Sequence, residues 1–246
     1  MCGSVPARAS ELDTFARHRA IWAARPELRQ VYAAWFRRLL DAVAGLEPLV
    51  EVGAGPGFFK DFAPGLLTLD LVAAPRVDVR ADACALPFGA GAVGGIVMVD
   101  ALHHLPRPRA FLREAARVLR PGGRVAMLEP WVTPASFLLY RYLHQEDCRL
   151  GVDLERPFGE EGKAALDGNV AIPRLVVGEL ARGGGSLDVR ACEPFVALPY
   201  LATLGFKWSR PLPRALARAA GALERVVHPL RALLATRVFV VLERAA

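Results

Sequence analysis

The residues best able to do chemistry begin in one stretch, Glu51-Val-Gly53-Ala54-Gly55-Pro-Gly57-Phe-Phe-Lys60. Three alternate glycines allow a sharp turn through positive φ and let a ligand lie against bare backbone where a helix begins. The spacing is GxGxG, not the GxGxxG of a dinucleotide site, and Pro56 removes an N–H that a phosphate cradle would use. The loop therefore suits a nucleotide-like ligand without phosphates. Asp70 stands 17 residues beyond Gly53, at the end of the next apolar run, where a carboxylate accepts both hydroxyls of a ribose. Asp82, in Arg80-Ala-Asp82-Ala83-Cys84-Ala-Leu86-Pro87-Phe88, is placed to accept a hydrogen bond from an exocyclic adenine amine. Asp100 ends a further apolar run, just ahead of His103 and His104. Each has a plainer reading: the glycines serve a tight turn, Asp70 and Asp82 cap helices or sit in solvated turns, and the histidines are structural. His144, Glu146 and Asp147 form a second polar group, read equally as a solvated helix end, and Lys60 reads as a solvated helix residue.

These residues need elements that bring them together. Residues 10–46 step apolar positions at three or four residues, with Pro26 as a break, so two helices precede the first strand. Short apolar runs then predict strands at Leu49–Val52, Leu66–Asp70, Val77–Arg80, Gly95–Asp100 and Arg124–Leu128, with helical pieces at Phe58–Phe62 and Arg109–Leu119 between them. Pro121-Gly122-Gly123 is read as ending the second of these helices and turning into the strand that follows. This is a βαβ pattern, an α/β fold with an open, doubly wound, mostly parallel sheet. All the candidate carboxylates fall at carboxyl ends of strands. Only six residues separate Asp70 from Val77, too few for a helical crossover, so the third strand is vestigial or its crossover is an irregular loop. Farther on, the pattern predicts a helix at Ser136–Gln145, strands around Leu187–Cys192 and Arg237–Leu242, and a long helical stretch from Leu212 to Ala235.

With 246 residues the chain is read as one domain: a helical cap over 1–47, a ligand-binding core over 48–130 and a substrate-recognition region over 131–246. Hydrophobic residues make up 53% of it, yet no stretch of ~18 uninterrupted apolar residues could span a bilayer. The first residues carry charges where a secretory segment needs an apolar run, so the chain is expected in the cytoplasm. Its four cysteines stand far apart, suggesting reduced thiols, and no metal site is read. The net charge of +6 lies at the ends: residues 1–40 hold 7 Arg against 3 acids, and residues 207–246 hold 8 Lys/Arg against 2. The stretch bearing the carboxylates is not basic, so nucleic acid is not expected as a partner.

Glu51–Gly57, Asp70, Asp82 with Leu86-Pro87-Phe88, Asp100–Pro106 and Arg117–Arg124 resemble, in that order, the successive motifs of class I S-adenosylmethionine-dependent methyltransferases, the small bacterial type 11 group among them. The resemblance covers about residues 48–130. It implies a seven-strand, Rossmann-like sheet with a reversed last strand, helices of residues 10–46 over the cofactor pocket, and S-adenosyl-L-methionine as cofactor. It further implies Glu51, Gly53, Ala54, Gly55 and Gly57 near the methionine moiety, Asp70 with Leu71 at the ribose, Asp82 and Ala83 at the adenine, and Asp100 near the amino-acid end. The sulfonium methyl is already activated, so alignment supplies most of the acceleration, up to ~7–11 kcal/mol. A base is needed only for an acceptor such as a hydroxyl, and His103 or His104 is the first candidate.

From Leu212 the apolar positions fall on one stripe, with arginines toward the other side. Such a helix either lies in an anionic membrane interface, as a peripheral contact over residues 211–235, or packs on the sheet with arginines outside; Pro229 is expected to kink it. Together with aromatic residues such as Trp131, Tyr140, Tyr200 and Trp208, it favours a lipid-like or other greasy acceptor; the leading expectation is methylation of a small or lipid-like acceptor, at oxygen rather than at carbon or nitrogen. Two other readings are a non-catalytic scaffold docking through residues 207–246 and a nicotinamide dehydrogenase, the latter opposed by the GxGxG loop.

Overall fold

The computed structural model describes residues 9–143, 146–156, 168–183, 185–207 and 213–245. Two helices come first, α1 (Ala9–Ala24) and α2 (Pro26–Ala42), with Pro26 in the first turn of α2 where its missing N–H has no cost. Arg25 at the break is fully buried, its Nε donating to Glu27 Oε1 (2.8 Å) and its Nη1 to the Gly205 carbonyl (3.1 Å). There follow β1 (Leu49–Val52), α3 (Phe58–Phe62), β2 (Leu67–Asp70), β3 (Val79–Arg80), β4 (Val93–Val99), α4 (Pro108–Val118) and β5 (Leu119–Pro130). The second half adds α5 (Pro134–Leu143), α6 (Ile172–Leu180), β6 (Leu187–Phe195), α7 (Leu198–Thr203), α8 (Arg214–Val227), α9 (Arg231–Leu234) and β7 (Arg237–Arg244).

The strands form one seven-strand sheet in the order β3-β2-β1-β4-β5-β7-β6. The first five are parallel, and β7 runs antiparallel between β5 and β6, as the reversed last strand required. Alternation along the central strands divides the core between the two faces. Ile96, Met98, Val125, Met127, Val238 and Val240 pack with Phe111 and Ala115 of α4 on one face. Val97, Ala126, Leu128, Phe239 and Val241 meet Trp35, Phe36 and Leu39 of α2 on the other. Burying each such side chain stabilises the fold by about 1.5–3 kcal/mol, which makes these central strands the rigid base of the site.

The crossover from β2 to β3 is an irregular loop, and β3 is only two residues long, so both readings of the short connection hold. Asp78 anchors it by accepting from the Thr68 N–H (2.9 Å) and from Lys60 Nζ. Lys60 is thus a tether and not a solvated helix residue. Pro121-Gly122-Gly123 lies within β5, because α4 ends at Val118 and the strand starts at once; a register shift between Val93 and Gly95 accommodates the glycines.

The stretch after Leu212, itself outside the described residues, is three pieces: α8, a 3₁₀ turn at His228–Leu230, and α9. Pro229 breaks it as expected. Ordinary packing of the apolar stripe on the sheet does not occur, since Leu216, Leu223, Val226, Leu230 and Leu233 are all exposed. The half-buried residues of α8 are mostly small ones, Ala217, Ala220 and Gly221, together with Glu224 and Val227. Among the described residues no helix is long and apolar enough to cross a membrane.

Candidate cofactor and acceptor site

The glycine loop leaves β1 directly and is pinned to β2, with the Gly53 and Ala54 N–H groups both donating to the Leu69 carbonyl (2.9 and 3.0 Å). Gly53 approaches Ala101 so closely that a Cβ there would lie 2.5 Å from the alanine Cβ. Gly57 enters α3 at φ +76°, and a Cβ on it would collide with Arg76 at 2.1 Å. Gly55 differs: a Cβ on it would meet only the Phe15 ring of α1, at 3.9 Å, so its surroundings leave room for a ligand. Beneath the loop, Glu51 is 3% exposed, and its Oε2 meets no hydrogen-bond partner among the described residues. Burial pushes its pKa well up and the neighbouring Asp70 adds to the rise. A buried carboxylate oxygen left so is costly unless a donor arrives, and the ammonium of an amino-acid moiety is such a donor.

Asp70 is fixed at both oxygens, Oδ2 accepting from the Gly55 N–H (2.7 Å) and Oδ1 from the Val72 N–H (2.8 Å). Burial raises its pKa against these bonds, and Glu11 of α1 raises it further. The α1 helix therefore covers the loop, with Phe15 over Gly55 and Glu11 toward Asp70. Leu71 is 49% exposed beside Asp70, a flat apolar surface against which an aromatic base can lie. Asp82 accepts from the Cys84 N–H (2.8 Å), the turn geometry its plainer reading expected, while its Oδ2 lies 3.9 Å from Arg107. The Ala83 side chain packs against the core beside it.

Asp100 stands just past β4 at φ +52°, a left-handed conformation that Asp tolerates better than most residues. Its carboxylate pairs with the Arg237 guanidinium, which enters the site from the first residue of β7. The Arg237 carbon lies 4.8 Å from the Tyr200 ring centre and 5.7 Å from that of Trp35. Tyr32 closes the cluster with its ring 6.1 Å from Tyr200, and Tyr140 bonds through its hydroxyl to the Thr236 carbonyl. Burial raises Asp100 while Arg237 and His103 pull it down. Arg237, Tyr32 and Trp35 were not among the residues read from the sequence as forming this site.

His103 is 2% exposed with both ring nitrogens engaged, Nδ1 to Glu129 Oε2 (2.6 Å) and Nε2 to Glu146 Oε2 (3.2 Å). Burial alone would lower its pKa, but Glu146 and Glu129 outweigh it and raise it to about 10. The imidazole is therefore held charged at neutral pH, clamped between its two carboxylate partners. Glu129 Oε1 accepts from the Ala101 and Leu102 N–H groups (2.8 Å each), locking the turn after Asp100. His104 is half-buried, its ring 4.1 Å from that of His103. His144 lies outside the described residues. Two trios, His103–His104–Glu146 and Asp100–His103–Glu129, gather three metal-ligand atoms each, but both require a His103 nitrogen already committed to a carboxylate. The raised pKa gives a test. The stability supplied by the charged imidazole is fully present below about pH 6.5 and is lost as pH rises through about 10. A His103→Gln variant is expected to be less stable than the native protein below pH 6.5, with the gap closing toward pH 10, as read from urea midpoints. A gap that stays constant over this range contradicts the clamp.

The sheet order with its reversed strand, the glycine loop after β1 and the acid ending β2 define the class I methyltransferase fold. Residues 50–127 match the family model described as a methyltransferase domain, of the type 11 group. It is 29% identical over 154 residues to the ubiquinone biosynthesis O-methyltransferase of Xanthomonas axonopodis pv. citri (strain 306), covering 53% of this chain and 64% of that one. To a demethylmenaquinone methyltransferase of Clavibacter sepedonicus it is 34% identical over 111 residues, covering 42% and 45%. The match thus spans about half to two thirds of these curated relatives. Among solved structures, the geranyl diphosphate C-methyltransferase of Streptomyces coelicolor A3(2), determined with Mg2+, geranyl diphosphate and S-adenosyl-L-homocysteine, superposes with TM-score 0.55 at 16% identity, covering 87% of this chain and 79% of that one.

Proposed function

We propose that this protein transfers a methyl group from S-adenosyl-L-methionine to an oxygen of a small or lipid-like acceptor in the cytoplasm. The observation that carries the reading is the buried Glu51 Oε2, which meets no hydrogen-bond partner among the described residues, beneath the open Gly55 loop with Asp70 fixed beside it. Glu51 and the Gly53–Gly57 loop would receive the amino-acid end of the cofactor, Asp70 the ribose, and Leu71, Asp82 and Ala83 the adenine. When bound, the cofactor supplies an activated methyl group, so the protein needs no nucleophile of its own. The chain's own contribution is alignment. Arg237, Tyr32, Tyr140 and Tyr200 line the far side of Asp100 and would hold the acceptor oxygen and exclude water. His103 keeps the turn after Asp100 rigid, and His104 takes the base role for a protonated acceptor. Among the relatives, the ubiquinone biosynthesis O-methyltransferase supports transfer to oxygen, and it and the demethylmenaquinone methyltransferase support a quinone-type acceptor. The scaffold reading is not favoured, because a protein that only docks has no need of the Gly55 opening or of a buried carboxylate awaiting a donor.

The test is incubation with methyl-labelled S-adenosyl-L-methionine and a panel of catechols, hydroquinones and amines of matched size, with the product atom located by fragmentation mass spectrometry. Label on oxygen of a hydroxylated acceptor is expected. Label confined to nitrogen or carbon overturns the oxygen assignment, and absence of transfer to the whole panel and to a lipid extract overturns the activity.

A further inference from the structure

The α8 helix is built inside out. At about 100° per residue, Ala217, Ala220, Gly221 and Glu224 share the side turned to the body of the protein. A Cβ on Gly221 would already lie 4.0 Å from Pro199. Most of its large apolar residues are turned outward: Leu216 and Leu223 are half exposed and Val226 is 74% exposed, whereas Val227 is half-buried. Leu230 and Leu233 continue the ridge through the 3₁₀ turn and α9, both half exposed, and α5 beside α9 adds exposed Leu138 and Tyr142. A contiguous apolar ridge of this kind marks an interaction surface.

Charge identifies the occupant. Arg218 and Arg225 are exposed on the outer surface of α8, roughly 125–145° around the helix from the ridge centre, and Arg231 is exposed beyond the break. The single acid between residues 213 and 235 is Glu224, and it is turned inward to accept the Ala197 N–H at 2.9 Å. The outward surface of this element therefore offers apolar side chains and arginines and no carboxylate. A leucine ridge flanked by arginines, on a helix too short to span a bilayer, matches a surface of anionic lipid. We propose that α8 and α9 dock the protein onto an anionic membrane, with the ridge in the boundary between headgroups and acyl chains and the arginines among the headgroups. The Glu224 bond ties α8 to the turn that starts α7, and α7 carries Tyr200 beside Arg237, so the docked helix adjoins the acceptor end of the site. The proposal stands on the surface itself and holds whether or not the chain transfers methyl groups.

Flotation of the full chain with vesicles of phosphatidylcholine alone, or of phosphatidylcholine mixed with phosphatidylglycerol, tests it. Binding to the mixed vesicles is expected to be stronger on the order of a hundredfold, the combined pull of three arginines, and to weaken with salt. The variant Leu223→Ser/Val226→Ser/Leu230→Ser should lose binding to both vesicles by more than about tenfold while keeping the native circular dichroism, since all three side chains are exposed. Arg218→Glu/Arg225→Glu should lose the preference for phosphatidylglycerol. Native protein that does not float, or variants that float as the native protein does, overturns the proposal. So does a dimer in analytical ultracentrifugation that the serine variant dissociates, because the ridge would then be an interface between copies of the chain.

Discussion

Gly55→Val is expected to bind S-adenosyl-L-homocysteine about 5- to 150-fold more weakly than the native protein, the range that overpacking a filled space by ~1–3 kcal/mol implies. The position is informative because its glycine is not required by neighbouring protein atoms. Added carbons at Gly53 or Gly57 strike Ala101 or Arg76, so their loss would report on folding. A Cβ at Gly55 finds only the Phe15 ring at 3.9 Å, and a valine there takes up the space assigned to the ligand. The φ of +50° adds backbone strain, so the thermal midpoint must be measured alongside affinity. Unchanged affinity in a folded variant removes the loop from the binding site.

Arg237→Met is expected to destabilise the protein by about 3–5 kcal/mol, a fall of roughly 6–20 °C in Tm for a chain of this size. The side chains of Arg237 and Asp100 are 10% and 25% exposed, so truncating the arginine leaves a carboxylate largely buried without its cation. The double variant Asp100→Asn/Arg237→Met removes both charges and should recover most of the loss, because paired removal of a buried ion pair is often close to neutral. Thermal and urea unfolding of the native protein and the two variants decide it. A double variant as unstable as the single one would mean that Arg237 acts through its rings, Tyr200 and Trp35, and not through Asp100.

How far the site was legible in the sequence follows from the range of the contacts. β1, β2 and β4 are short apolar runs because both faces are covered, so Asp70 and Asp100 could be put at strand ends from spacing, whereas Glu51, inside β1, was singled out by the family resemblance. The helix α6 was missed because Ile172, Pro173 and Val176 form a brief apolar cluster with proline near its start, and α7 is only six residues long. Arg237 was invisible for a different reason: 137 residues separate it from Asp100, and only the insertion of β7 between β5 and β6 brings them together. Glu129 did leave a signal, a lone acid directly after the apolar run Val125–Leu128, and the parallel register that pairs Val99 with Leu128 carries it to the turn holding His103. The stripe after Leu212 was read correctly as amphipathic, but which side faces the body depends on residue size. Alanines and a glycine let α8 approach α7 closely, and the leucines are left outward.

The central claim is that the hollow between Glu51, Gly55 and Asp70 receives an adenosine joined to an amino acid. Isothermal titration of the native protein with S-adenosyl-L-homocysteine measures this directly. Micromolar binding, near −8 kcal/mol, is the predicted result. No heat of binding at millimolar ligand, in protein shown to be folded, would contradict it.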